Sequence, residues 1–147
     1  MKIAIGCDPN ASKYKLELIE YVKNLGHEVI DYGSDDPIYA NVAIEVSKDV
    51  AAGKCHRGIL LCGTGIGVSI SANKVKGAYA ACINNIYQAQ RAALSNNANI
   101  ITIGSQVIGL ELAKCFVKEY LSLEYDPASR SAPKVDAIVK IEEENFR

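Results

Sequence analysis

Short apolar runs alternate with longer amphipathic stretches along the whole chain. Lys2–Cys7, Glu28–Tyr32, Gly58–Leu61, Ala78–Ile83 and Ile100–Ile103 are brief and nearly continuous in apolar residues. Their length and composition predict five strands buried on both faces. Between them lie stretches of helical period. Ser12–Leu25 carries Leu16, Ile19 and Val22 at that spacing and stops at Gly26. Tyr39–Ala52 stops at Gly53, Val68–Lys74 predicts a short helix, and Asn85–Ser95 and Val107–Leu121 predict two more. Gly33–Pro37 reads as a turn and residues 122–132 as a loop. Pro133 suits the first turn of a last helix.

Strict strand–helix alternation builds parallel βαβ units covered on both faces. The expectation is an α/β fold, a three-layer α/β/α sandwich on a five-stranded, parallel, Rossmann-like sheet. One domain is expected over residues 1–147, with a C-terminal helical arm over about 122–147. That last helix has no strand to cover, so it is expected to pack on a neighbouring subunit, which favours a homodimer.

Charge and cysteine usage narrow the function. A net charge of −1 gives no basic field for nucleic acid. No apolar run approaches the ~20 residues of a bilayer span, and MKIAIGCDPN is too short in apolar residues for a secretory signal. A cytoplasmic protein is expected, with neither nucleic acid nor membrane as partner. Cys7, Cys55, Cys62, Cys82 and Cys115 have neither disulfide-framework nor zinc-like spacing, so no metal site is expected.

In open parallel sheets, ligands bind beyond the carboxyl ends of the strands. That edge selects Cys7–Asn10, Gly33–Pro37, Cys62–Gly67, Asn84–Asn85 and Gly104–Gln106. His27 and His56 precede strands two and three and fall on the opposite edge, where a structural role is expected. Within "LCGTGIG" (61–67), Gly63, Gly65 and Gly67 permit left-handed backbone and close approach. Their peptide N–H groups can form an anion nest at a helix start, although a plain strand-to-helix turn uses glycines in the same way. Cys62 sits beside that loop. A thiolate held by the helix start is a proton-transfer base; a packed cysteine is a small hydrophobe. Asp8 suits either a sugar hydroxyl or a helix cap. The amides of Ser95–Asn99 suit sugar hydroxyls or a turn. Arg130 and Lys134, four apart, suit a phosphate or a solvated basic face.

Five stretches carry a resemblance over nearly the whole chain: "IAIGCD" (3–8), "GHEVIDYG" (26–33), "GILLCGTGIGVSISANKVKG" (58–77), "NNANIITIGSQVIGLELAK" (96–114) and "EYDPASRSAPKVDAI" (124–138). Together they resemble the type B ribose-5-phosphate isomerases and the galactose-6-phosphate isomerase subunits, and 58–77 is the most specific block. The resemblance implies a dimer or tetramer with active sites at the dimer interface. It implies aldose–ketose isomerisation of a sugar phosphate through a cis-enediolate, without metal or cofactor. Cys62 would move the proton between C1 and C2, with Thr64 and the backbone of Gly63, Gly65 and Gly67 holding the enediolate oxygens. Asp8 and Asn96 would contact sugar oxygens, and Arg130 and Lys134 of the partner chain would reach the phosphate.

The chain departs from the family pattern at the site. Pro9 stands for histidine in the Asp-His pair, Ser95 for the ring-opening histidine before strand five, and Gln106 for arginine. Asp36 stands for the tyrosine of an Asp-Tyr-Pro turn, and Lys134 for arginine. Ser95 and Gln106 are carried as substrate-facing positions. These changes predict a substrate other than ordinary ribose 5-phosphate, such as an open-chain tetrose 4-phosphate or a non-phosphorylated sugar. Two alternatives stand beside this reading. One is a subunit of a hetero-oligomeric galactose-6-phosphate-type enzyme with a paralogous partner. The other is a non-catalytic sugar-phosphate-binding homologue.

Overall fold

A computed structural model describes residues 1–146. The chain runs β1 (Lys2–Cys7), a single 3-10 turn (Pro9–Ala11), α1 (Ser12–Asn24), β2 (Glu28–Asp31), α2 (Tyr39–Ala51), β3 (Arg57–Cys62) and α3 (Ile66–Ala72). It continues through β4 (Ala80–Cys82), α4 (Ile86–Leu94), β5 (Ile100–Gly104), α5 (Leu110–Ser122) and α6 (Ala132–Asn145). The five strands form one wholly parallel sheet in the order β2-β1-β3-β5-β4. This is the expected α/β/α sandwich on a five-stranded parallel sheet.

The two faces of the sheet follow from the period-2 alternation of strand side chains. Ile3, Ile5, Cys7, Ile59, Leu61, Ile101 and Ile103 point to one side and pack with Leu18, Ile19 and Val22 of α1, the alanines of α4, and Phe116 and Tyr120 of α5. Ala4, Leu60, Cys62 and Ile100 point to the other side, against Val42 and Val46 of α2 and Val68 and Ala72 of α3. Cys7 and Cys62, neighbours at adjacent strand ends, therefore face opposite layers. After β1 the chain turns to β2 on one side; after β3 it crosses β5 to reach β4 on the other. The direction of winding reverses between β1 and β3, which is where such sheets open a ligand crevice. The pairing Cys7↔Leu61 and Cys62↔Gly104 brings the three strand ends level at this crevice.

Several boundaries differ from the expectations. The buried stripe of α1 is Lys15, Leu18, Ile19 and Val22, while Leu16 is 53% exposed. Lys15 takes the place on the core-facing side because its ammonium meets Asp31 at 2.6 Å. α3 begins at Ile66 rather than Val68, so Gly67 lies within the helix. β4 is shorter than expected and α5 starts later, at Leu110, after a turn in which Gly104 accepts from Val107 and Ile108. Both histidines lie on the amino edge of the sheet. His56 Nδ1 accepts the Lys2 N–H at 2.9 Å, and His27 Nδ1 sits 3.1 Å from the terminal amine of Met1. No helix among the described residues is long and apolar enough to cross a membrane.

Candidate active site

Two glycines let the ends of β3 and β5 close on each other. A Cβ on Gly104 would lie 2.6 Å from the backbone of Thr64, and one on Gly65 would lie 2.8 Å from the Gly104 nitrogen. Gly65 is also left-handed, with φ 77°, which an L side chain resists. The loop they permit is held from four directions. Ser105 N–H donates to the Cys62 carbonyl at 2.8 Å, and Gln106 N–H donates to the Gly63 carbonyl at 3.0 Å. The buried Thr102 hydroxyl donates to the Gly65 carbonyl at 2.7 Å. Gly65 N–H donates to Cys62 Sγ at 3.1 Å.

That last contact separates Cys62 from an ordinary packed cysteine. The sulfur is buried, 5% exposed, yet it receives a backbone N–H at the carboxyl end of β3. Among the described residues, Cys7 has no such donor. Burial pushes its thiol up to about 12, with the Lys15 ammonium opposing the shift. Of the two strand-end thiols, Cys62 is the one whose sulfur receives a backbone N–H.

The glycine nest is narrower than its sequence suggests. Of Gly63, Gly65 and Gly67, only Gly65 adopts positive φ. Gly67 lies in the first turn of α3, where a Cβ would come 2.5 Å from the Tyr39 ring. It serves close packing rather than an unusual backbone. The amide of Ile66 is engaged by Thr64 Oγ1 at 3.3 Å, and the Thr64 side chain is exposed at the crevice.

The other carboxyl-edge residues divide by role. Asp8 is 6% exposed and caps the 3-10 turn, its Oδ1 accepting the Asn10 N–H at 3.1 Å. Pro9 opens that turn, where a missing N–H costs nothing. Asp36 spends both oxygens on the entry to α2, accepting from Ile38 N–H and the Asn41 amide at 2.8 Å each. Gln106 lies against Gly63 and lines a 390 Å³ cavity with Asn10, Lys13, Tyr14 and Ser105.

Ser95, Asn96, Arg130 and Lys134 are brought together elsewhere. They line a 360 Å³ cavity between the end of α4 and the start of α6. Arg91 joins them, its Nε donating to Ser95 Oγ at 2.5 Å. Ser95 and Asn96 precede β5, so they lie on the amino edge, the length of a five-residue strand from Gly104, or about 16 Å. Within one chain, then, Cys62 and the cationic cavity sit at opposite edges of the sheet. Thr102 and Tyr39 are marked only by their contacts, whereas Gly104 already stood out by its place at the end of β5. For Arg91 a signal existed in its i, i+4 spacing to Ser95.

The sequence model of the Ribose/Galactose Isomerase family matches residues 3–138. The chain belongs to this family. It is 43% identical to D-erythrulose-4-phosphate isomerase 2 of Mycolicibacterium smegmatis over 148 aligned positions, covering 97% of each chain. It is 46% identical to D-erythrulose-4-phosphate isomerase of Pectobacterium atrosepticum over 142, covering 94% of this chain and 93% of that one. Ribose-5-phosphate isomerase B of Clostridium thermocellum superposes with a TM-score of 0.93 at 40% identity over 99% of both chains. The chain is a sugar-phosphate isomerase of the ribose-5-phosphate isomerase B type. Its family-matched span includes both the Cys62 loop and the cationic cavity.

Proposed function

We propose that the chain interconverts an open-chain tetrose 4-phosphate and its 2-keto isomer. Cys62 thiolate takes the proton from C2 of the aldose, giving a cis-enediolate, and returns it to C1. The hydroxyl proton passes from O2 to O1, so the reaction is balanced without an external oxidant or reductant. Thr64 and the loop backbone flank the oxygens on which charge develops.

The observation that carries the substrate choice is the location of the imidazoles. Both histidines of the chain are engaged at the amino edge, at the start of β1. Neither lines the Gln106 cavity at the carboxyl edge or the Ser95–Asn96 cavity that a second copy would bring to it, so the shared site has no imidazole to open a sugar ring. A tetrose 4-phosphate needs none, because its phosphate esterifies the hydroxyl that would close a five-membered ring. The two relatives named as D-erythrulose-4-phosphate isomerases support the same substrate class.

The working enzyme is a dimer or a larger assembly in which a second copy brings Asn96, Arg130 and Lys134 to the Cys62 loop. Arg91 extends that cationic group. Two facts support this reading. Neither half of the site is complete at its own edge. In addition, Ile66 and Ile70 of α3, beside the Cys62 loop, and Ile138 and Ile141 of α6 are all more than 40% exposed. An enclosed interface would bury them at about 25 cal/mol per Å². A cytoplasmic location fits five cysteines that are all free.

The test is a substrate panel on the purified chain: D-erythrose 4-phosphate, D-erythrulose 4-phosphate, ribose 5-phosphate and ribose. The largest kcat/KM is expected on the four-carbon phosphates. A preference for ribose 5-phosphate sinks the substrate assignment.

A further inference from the structure

The cavity that gathers Arg91, Ser95, Asn96, Arg130 and Lys134 has one wall on the α4–β5 connection and the other on α6. Apolar packing anchors α6 weakly. Val135 is its one buried residue, and Ile138 and Ile141 face outward. Polar contacts hold it instead. Glu142, about two turns beyond Lys134, accepts the Gly77 N–H at 2.8 Å through Oε1 and the Tyr79 hydroxyl at 2.5 Å through Oε2. The segment it grips is bound in turn to Asn99. Asn99 Oδ1 accepts the Tyr79 N–H at 2.8 Å, and its amide donates to the Gly77 carbonyl at 2.8 Å. Asn99 stands three residues after Asn96, on the other wall. A continuous run of hydrogen bonds thus joins α6 to the segment that leads from Asn96 into β5, and one end of it is the Glu142 carboxyl group.

We propose that Glu142, Tyr79 and Asn99 form a clasp that holds α6 at the spacing where Arg130 and Lys134 share one phosphate beside Asn96. The inference rests on the reading of this cavity as the phosphate subsite. Glu142 and Tyr79 touch neither the substrate nor the reacting atoms; they are positioning residues. Glu142 is suited to the task because one carboxylate accepts two donors from a single short segment, fixing the helix in distance and in rotation.

The experiment compares Glu142→Gln, Tyr79→Phe, Arg130→Ala and the unaltered protein. It measures kcat and KM for tetrose 4-phosphate, inhibition by inorganic phosphate, and thermal unfolding. Glu142→Gln is expected to raise KM and the phosphate inhibition constant together by roughly tenfold, as for loss of a charge-assisted hydrogen bond. Its kcat is expected to stay within about twofold, because the Cys62 loop is untouched. Tyr79→Phe, losing one of the two donors, is expected to fall between Glu142→Gln and the unaltered enzyme. A lower melting temperature with KM and phosphate inhibition unchanged overturns the clasp and leaves only a fold-stabilising contact. Should Glu142→Gln fail to fold, unchanged constants in Tyr79→Phe overturn it equally. Arg130→Ala separates the two readings. If it leaves phosphate inhibition unchanged, the cavity is not the phosphate subsite. If it weakens inhibition while the clasp variants do not, only the clasp is wrong.

Discussion

The amide of Gly65 points at the sulfur of Cys62 across 3.1 Å, and the chain turns left-handed at Gly65 directly after it. Removing the sulfur leaves that amide without its partner and removes the proposed base. Cys62→Ala is expected to lower kcat by at least about 100-fold, the low end for a general base. Cys7→Ala is expected to cost stability with kcat within a few-fold, since its thiol is pushed up to about 12 and faces the other layer. Steady-state kinetics on both variants decide the matter, and equal losses would contradict the assignment.

Gly67 and Gly104 both admit a close neighbour, but the neighbours differ in freedom. A Cβ at Gly104 meets the Thr64 backbone, which the surrounding hydrogen bonds hold in place. A Cβ at Gly67 meets the Tyr39 ring, which is 43% exposed and free to swing aside. Gly104→Ala is therefore expected to cost about 1–3 kcal/mol by overpacking and to lower kcat with it. Gly67→Ala is expected to cost less in both. Denaturant unfolding and kinetics on the pair check the order.

The Lys15–Asp31 pair sets an acid limit on stability. Partial burial pushes the Asp31 carboxyl up, but the Lys15 ammonium at 2.6 Å and the Gly33 N–H outweigh it and hold it below its ordinary 3.8. A carboxylate whose folded value is lowered contributes stability above its unfolded value. That contribution is lost as pH falls through the folded one. Asp31→Asn, which strands a buried ammonium, is expected to cost about 1–3 kcal/mol at neutral pH, the exposed side of Asp31 being screened. The gap between variant and unaltered protein is expected to narrow below about pH 4. Unfolding curves from pH 7 to 3 test this, and a gap independent of pH refutes it.

A site shared between copies can be rebuilt from two broken ones. Cys62→Ala and Arg130→Ala chains, each impaired, are expected to regain activity when unfolded together and refolded as a mixture. In a dimer with random pairing, half the dimers are mixed and each has one intact site, giving about a quarter of full activity. Activity no greater than the average of the separate variants shows that both residues serve the same chain's site.

The sequence by itself determined the layered α/β plan. Continuous apolar strands and amphipathic helices of sufficient length have few other ways to bury themselves. It also placed Cys62, Thr64 and Asp8 on the ligand edge, because position relative to a strand's end is a property of order along the chain. The same rule put His27 and His56 on the far edge, and it puts Ser95 and Asn96 there too, since they precede β5. Only the tertiary structure decided which of three glycines is left-handed, which thiol receives an amide, and that Lys15 rather than Leu16 is buried on α1. It alone gathered Arg91 with Arg130 and Lys134, and Glu142 with Gly77 and Tyr79, 65 and 63 residues apart. Those outcomes depend on contacts between segments distant in sequence, where a few tenths of an ångström decide whether a Cβ, a ring or an ammonium fits. A pattern of apolar spacing carries no information at that scale.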